Sequence, residues 1–199
     1  MENPQHPGWY LFDYGMVIST APEPEDWEAL EESAGLPLRN PDSSYWAHRL
    51  DYDEGKIDSQ QYWSLVLGRE VGIGRASELD SLDALQWSHL NLDTLDVLEL
   101  LYSRGARLAV LSNMPATMAE EFAGAPWTKY FTELFFSSGI GLTKPEPGVF
   151  KHVLEALGTD PADVIFIDDK HENVHSARAL GIKAIHHAPG TDLQRELGL

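Results

Sequence analysis

The chain has 199 residues, enough to bury one sizeable core with or without an insertion. Hydrophobic residues make up 43% and charged residues 23%, the balance of a soluble globular protein, and a net charge of −18 disfavours nonspecific binding to nucleic acid or anionic membranes. With no cysteine, disulfides, thiolate metal sites and cysteine nucleophiles are excluded.

No apolar run approaches the roughly 18 residues of a membrane span. Met1-Glu2-Asn3-Pro4 lacks the basic and then apolar pattern of a secretory leader, so a cytoplasmic location is expected. The first patterned stretch is Tyr10-Leu11-Phe12-Asp13-Tyr14-Gly15-Met16-Val17-Ile18. An apolar run of strand length there delivers one carboxylate, costly in a core unless Asp13 sits at the strand's end, where a cleft opens. Alone, such an Asp is more often a turn residue or a helix cap.

After Pro22 and Pro24, the spacing of Trp27, Leu30 and Ala34 predicts a helix ending near Gly35. A second helix is predicted over 44–53, with Trp46 and Leu50 four apart. Asp58 with Gln61 makes a capping box for a third, through Tyr62, Trp63, Val66 and Leu67. A weaker helix is predicted over 77–87. Residues 20–90 thus read as an inserted helical module, leaving 1–19 and 91–199 as the core.

Beyond Asn91 the pattern changes to strands alternating with helices. A helix from Asp93 stops at Gly105. Strands are predicted over 107–111, 134–136, 164–167 and 182–185. Helices are predicted after Pro115, from Pro147 to Gly158, and over 173–180. This alternation predicts an α/β fold, a doubly wound, Rossmann-like parallel sheet.

Four of the strands end in polar residues: Asp13, Ser112-Asn113, the loop from Ser137 to Lys144, and Asp168-Asp169. The carboxyl ends of strands line the crevice of an open α/β sheet, so these residues can converge. Three ionised carboxylates would repel unless a cation joined them, and an all-oxygen set suits Mg²⁺. A serine hydroxyl, an asparagine amide and a lysine ammonium add donors and positive charge for an anionic group. Together they point to metal-assisted phosphoryl transfer.

Phe12-Asp13-Tyr14-Gly15, Leu111-Ser112-Asn113, Lys144-Pro145-Glu146-Pro147 and Ile167-Asp168-Asp169 resemble the four ordered motifs of the haloacid-dehalogenase-like hydrolase superfamily. The helical insertion is similar to its C1-type cap. Within the superfamily the chain is most similar to the bacterial alpha-D-glucose-1-phosphate phosphatase group, which shares the Gly at position 15 and an Asn at position 173. The resemblance implies a Mg²⁺-dependent phosphatase of a small phosphorylated metabolite, a sugar phosphate being one candidate. Asp13 would be the nucleophile, forming an aspartyl-phosphate, and a metal ligand with the Gly15 carbonyl, Asp168 and Asp169. Ser112 and the Asn113 backbone would hold phosphoryl oxygens. Lys144 would orient Asp13 and neutralise charge.

The motif departs from most phosphatases of the superfamily at Gly15, where they carry a second Asp that acts as acid and base. That function is typically worth about 10² to 10⁴ in rate. Tyr14, His48 or His171 would be substitutes, or the substrate would carry a good leaving group. Two other readings follow: a weak or inactive member that binds a ligand or partner, and a metal-independent 2-haloacid dehalogenase, against which the Asp168-Asp169 pair argues. In the module, Trp46, His48, Arg49, Tyr52, Asp53, Lys56, Tyr62 and Trp63 are the residues able to recognise a polar ligand, Arg49 foremost; most of the aromatics read as its core.

Overall fold

The structure, a computed structural model, describes residues 8–199; the stretch Met1-Glu2-Asn3-Pro4 lies outside them. Strand β1 (Trp9–Phe12) opens the chain. Helices α1 (Pro24–Ala34), α2 (Ser44–Ala47), α3 (Arg49–Asp53), α4 (Ser59–Leu67) and α5 (Ile73–Gln86) follow. Then come α6 (Leu92–Ser103), β2 (Leu108–Ser112), α7 (Ala116–Phe122), β3 (Glu133–Phe136) and α8 (Ser137–Ile140). The chain closes with α9 (Pro147–Leu157), β4 (Val164–Asp168), α10 (His171–Ala179), β5 (Lys183–His186) and α11 (Leu193–Leu197).

The five strands form one sheet in the order β3-β2-β1-β4-β5, with every neighbouring pair parallel. Its central strand explains the uninterrupted apolar run at the start of the chain. Tyr10 and Phe12 enter a core built with Leu98, Val110, Phe122 and Leu193, whereas Trp9 and Leu11 enter one built with Val149, Phe150, Val153 and Phe166. Helices therefore cover both faces, and the sheet is doubly wound.

Helices α1 to α5 bury a third apolar cluster of their own, centred on Trp27, Leu30, Tyr45, Tyr62, Trp63 and Leu79. The chain enters and leaves this helical region side by side, through a bridge between Ser19 and Leu90 and the bond from Asn91 N–H to the Ile18 carbonyl (2.9 Å).

Three details differ from the sequence expectations. The helix over 44–53 is broken at His48 (φ −111°, ψ −1°), and the two halves send Tyr45 and Arg49 to one partner, Asp83. Helix α5 begins at Ile73, four residues earlier than its periodicity indicates, because Ile73 is 75% exposed and carries no core-facing signal. The short helices α8 and α11 span too few residues for any periodicity to show.

Candidate active site

Parallel pairing carries β1 directly into the site. The Asp13 N–H donates to the Ile167 carbonyl (2.9 Å), continuing the ladder one residue past the strand. The chain then turns sharply, with Met16 in the left-handed region (φ +59°). That conformation is uncommon for a non-glycine residue, and such strain gathers at functional sites. The turn leaves the Asp13 carboxylate at the sheet's carboxyl edge, buried and facing a cavity of about 270 Å³.

Lys144 ties this carboxylate to the next strand. Its Nζ lies 2.8 Å from Asp13 Oδ1 and 2.7 Å from Asp168 Oδ2, with the ammonium almost wholly buried. Asp13 Oδ1 also accepts the Tyr14 N–H at 2.7 Å, so both contacts fall on one oxygen and Oδ2 is left for chemistry. Asn113 fixes the lysine from behind through its whole amide: Nδ2 donates to the Lys144 carbonyl (2.9 Å) and Oδ1 accepts the Lys144 N–H (2.8 Å). What Asn113 can still offer a ligand is its backbone.

Asp168 is fully buried, and its carboxylate is gripped by Asn173 Nδ2 (2.9 and 3.0 Å) and by the Lys170 N–H (2.8 Å). The Asn173 contacts are the part of the site that spacing alone does not reveal. Ligand oxygens of Asp13, Asp168 and Asp169 all lie within 4.8 Å of one another. Ser112, at the end of β2, and Gly15 line the same cavity.

Electrostatics follow from this crowding. Burial pushes the Asp13 carboxyl up to about 7 against the opposing pull of Lys144, and the neighbouring charge of Asp168 adds to the rise. Asp169 is raised by burial and by Asp168. Burial lowers Lys144, but Asp13 and Asp168 outweigh it and hold the ammonium above its ordinary value. Three carboxylates around one ammonium carry an excess of two negative charges. An oxygen-only donor set with that excess fits a divalent hard cation such as Mg²⁺.

Of the residues expected in the helical module, Trp46, Arg49 and Asp53 line the cavity, while Tyr62 and Trp63 are fully buried in the module's own core. Tyr52 hydrogen bonds to Asp80 and to Thr117 of α7. His48 and Lys56 are not among the cavity's residues. Of the substitutes for a missing acid, Tyr14 is otherwise engaged, and His48 and His171 are not among the cavity's residues. The Tyr14 hydroxyl donates to the Trp87 carbonyl (2.8 Å) and is raised by burial, and His171 stacks on His186 at 3.7 Å. Met16, Leu50, Trp87, Met114 and Met118 also line the cavity, and as single apolar residues they carried no sequence signal of a site.

A doubly wound sheet whose carboxyl edge gathers carboxylates and a buried lysine defines a class, the α/β proteins with a ligand crevice at the carboxyl ends of their strands. The chain belongs to the haloacid dehalogenase-like hydrolases, whose family model matches residues 25–181. It is therefore a hydrolase, and its relatives include phosphatases. It is 27% identical over 179 residues to a sesquiterpene phosphatase of Aspergillus oryzae, covering 88% of this chain and 87% of that protein. It is 26% identical over 158 residues to a D-ribitol-5-phosphate phosphatase of Bacteroides thetaiotaomicron, covering 74% of each. The chain spans only 35% of the length of another relative, a drimenol cyclase of Aspergillus calidoustus, at 26% identity over 94% of this chain. The fold matches a haloacid dehalogenase-family enzyme of B. thetaiotaomicron solved as a magnesium complex, with a TM-score of 0.78 and 22% identity over 96% of this chain and 98% of that one.

Proposed function

We propose that the protein is a Mg²⁺-dependent phosphatase of small phosphorylated metabolites that works through an aspartyl-phosphate on Asp13. The observation that carries this reading is the buried Asp13–Lys144–Asp168 array with Asp169 within metal-sharing distance. Asp13, the Gly15 carbonyl, Asp168 and Asp169 would hold the ion, which when bound supplies positive charge to the phosphoryl oxygens. Asp168 would also position Lys144, and its oxygens are in turn held by Asn173 and the Lys170 N–H. Asp13 Oδ2 attacks phosphorus, the bond to the leaving alkoxide breaks, and water then releases phosphate from Asp13. Ser112 and the Asn113 backbone bind the phosphoryl oxygens, and Lys144 keeps Asp13 oriented and opposes the burial that favours its protonated form.

The same reading takes residues 20–90 as a cap over the core. The separate apolar core of α1 to α5 and the paired crossing at Ser19 and Leu90 support that division. A 2-haloacid dehalogenase has no use for the charge excess that Asp169 creates. Among the described residues no helix is long and apolar enough to cross a membrane, and cytoplasmic residence belongs to the proposal, for cell fractionation to test.

The decisive measurement is phosphate release from a broad metabolite panel, with and without Mg²⁺, by wild type and Asp13→Asn. Turnover requiring both the ion and Asp13 is expected, with a loss of at least about 10⁴-fold in the variant. Undiminished turnover by Asp13→Asn would remove the covalent mechanism, and ligand binding without any turnover would leave a binding protein.

A further inference from the structure

The cavity lining is charged at the sheet edge and largely apolar elsewhere, with Arg49 and Asp53 the charged exceptions in the helical region. Asp13, Lys144, Asp169 and the ends of Ser112 and Asn113 gather the charge at the sheet edge. A second, largely apolar part of the lining comes from Met16, Trp46, Leu50, Trp87, Met114 and Met118, drawn from the turn after β1, from the helical region, from the loop after β2 and from α7. We propose that this second wall binds the carbon skeleton of the substrate, and that the substrate is the phosphate monoester of an apolar alcohol of prenyl type, not a sugar or polyol phosphate. The inference rests on the phosphatase reading for what happens at the phosphate, but its geometry is independent of it.

Two observations carry it. First, several polar side chains of the lining that could meet sugar hydroxyls are already committed, although Asn173 Oδ1 and Trp87 Nε1 have no partner. Arg49 donates from Nε to Asp53 (2.8 Å) and from NH1 to both Tyr45 Oη (2.6 Å) and Asp83 (2.7 Å). The Asn113 amide is spent at both ends on Lys144, and the Tyr14 hydroxyl on the Trp87 carbonyl. A polyol enclosed here would strand several hydroxyls without partners, each a penalty that a site built for sugars avoids.

Second, Leu50 and Met16 are uncommitted, whereas Met114 and Met118 are core residues that reach the cavity from below and Trp46 and Trp87 pack against the cores. Leu50 is 52% exposed and Met16 36% exposed, so both present hydrocarbon to the cavity mouth rather than to a core. Met16 holds its place in a left-handed backbone conformation that ordinary packing would not select. Methionine side chains adapt to irregular apolar ligands, and three of the six wall residues are Met. Position 15 fits the same pattern. A side chain there would point at the Trp87 ring, 3.9 Å from its Cβ, and Gly15 leaves that face of the indole uncovered.

The test separates carbon recognition from chemistry by using phosphonates, which cannot be hydrolysed. Trp46 and Trp87 in the cavity supply a fluorescence signal. Wild-type protein with Mg²⁺ is titrated with geranylphosphonate, methylphosphonate and the phosphonate analogue of ribitol 5-phosphate. Geranylphosphonate should bind about 10²-fold more tightly than methylphosphonate, and the polyol analogue no more tightly than methylphosphonate. Leu50→Asn, a change at an exposed position, should erase about tenfold of the geranyl advantage. Equal binding of the three ligands, tighter binding of the polyol, or no binding of any overturns the proposal. Hydrolysis is then followed separately. Tight geranylphosphonate binding without Asp13-dependent hydrolysis of geranyl phosphate leaves the apolar site standing and removes the phosphatase reading. Faster hydrolysis of ribitol 5-phosphate than of geranyl phosphate does the reverse.

Discussion

Among the described residues, Lys144 and Arg49 are each buried between carboxylates, and the two clusters are not alike. In the core, Lys144 sits between Asp13 and Asp168, with Asp169 adding a third acid and the cavity open beside it. In the helical region, Arg49 sits between Asp53 and Asp83, and Tyr45 and Gln86 close the remaining positions around Asp83. The arginine cluster is nearly complete in its hydrogen bonds and short of one positive charge. The lysine cluster is short of two and leaves Asp13 Oδ2 free. Saturation marks an ion pair that holds a fold, and deficit marks one that awaits a ligand.

The largest effect should come from breaking the saturated cluster. Arg49→Met leaves Asp53 and Asp83 buried without their cation, and denaturant unfolding should show a loss of about 3–5 kcal/mol. A loss below about 1 kcal/mol would mean that the cluster is not structural. Lys144→Met should behave in the opposite sense. Its stability cost should shrink when Mg²⁺ is present, while phosphatase kcat falls roughly 10²- to 10³-fold. Near-normal kcat in that variant would erase the distinction between the two clusters.

Much of the lysine cluster was legible because strand ends announce themselves. Asp13, Ser112, Lys144 and Asp168-Asp169 each follow an apolar run or precede a helix start, and a parallel sheet brings such positions to one edge. The arginine cluster was not legible. Asp83 lies on α5 with nothing in its neighbourhood to mark it as buried, and its pairing with Arg49 depends on how two helices pack. Asn173 was visible as a likeness in spacing, but its hold on Asp168 needs the turn between β4 and α10. The apolar wall escaped notice for the same reason: Leu50, Met16 and Trp87 come from three separate segments.

Gly15 offers a smaller and more pointed test of what the open cluster lacks. A Cβ there meets only the Trp87 ring at 3.9 Å, an ordinary contact, so Gly15→Asp is sterically admissible. If the leaving group departs without a protein acid, supplying one should raise kcat about 10²-fold on esters of weakly acidic alcohols and far less on 4-nitrophenyl phosphate, whose leaving group needs no proton. An equal effect on both substrates would show that the acid was never missing.

The smallest effect concerns protons and metal, and its sign follows from Asp13. Its carboxyl is raised from an ordinary value near 3.8 to about 7 in the folded protein, so the metal-free fold holds that proton more tightly than the unfolded chain does. The resulting stabilisation is complete below about pH 3.8 and is lost as pH rises through about 7. Asp169, raised by burial, acts in the same direction. Asp53 and Asp80 are raised as well, but they belong to the helical region and contribute equally with or without metal. Subtracting thermal midpoints in EDTA from those in Mg²⁺ therefore isolates the open cluster. The Mg²⁺-induced rise should be a few degrees larger at pH 8 than at pH 5.5, because at the lower pH the ion must displace a proton. A rise that does not change with pH would place the ion away from Asp13, and the contrast between the two clusters would then rest on geometry alone.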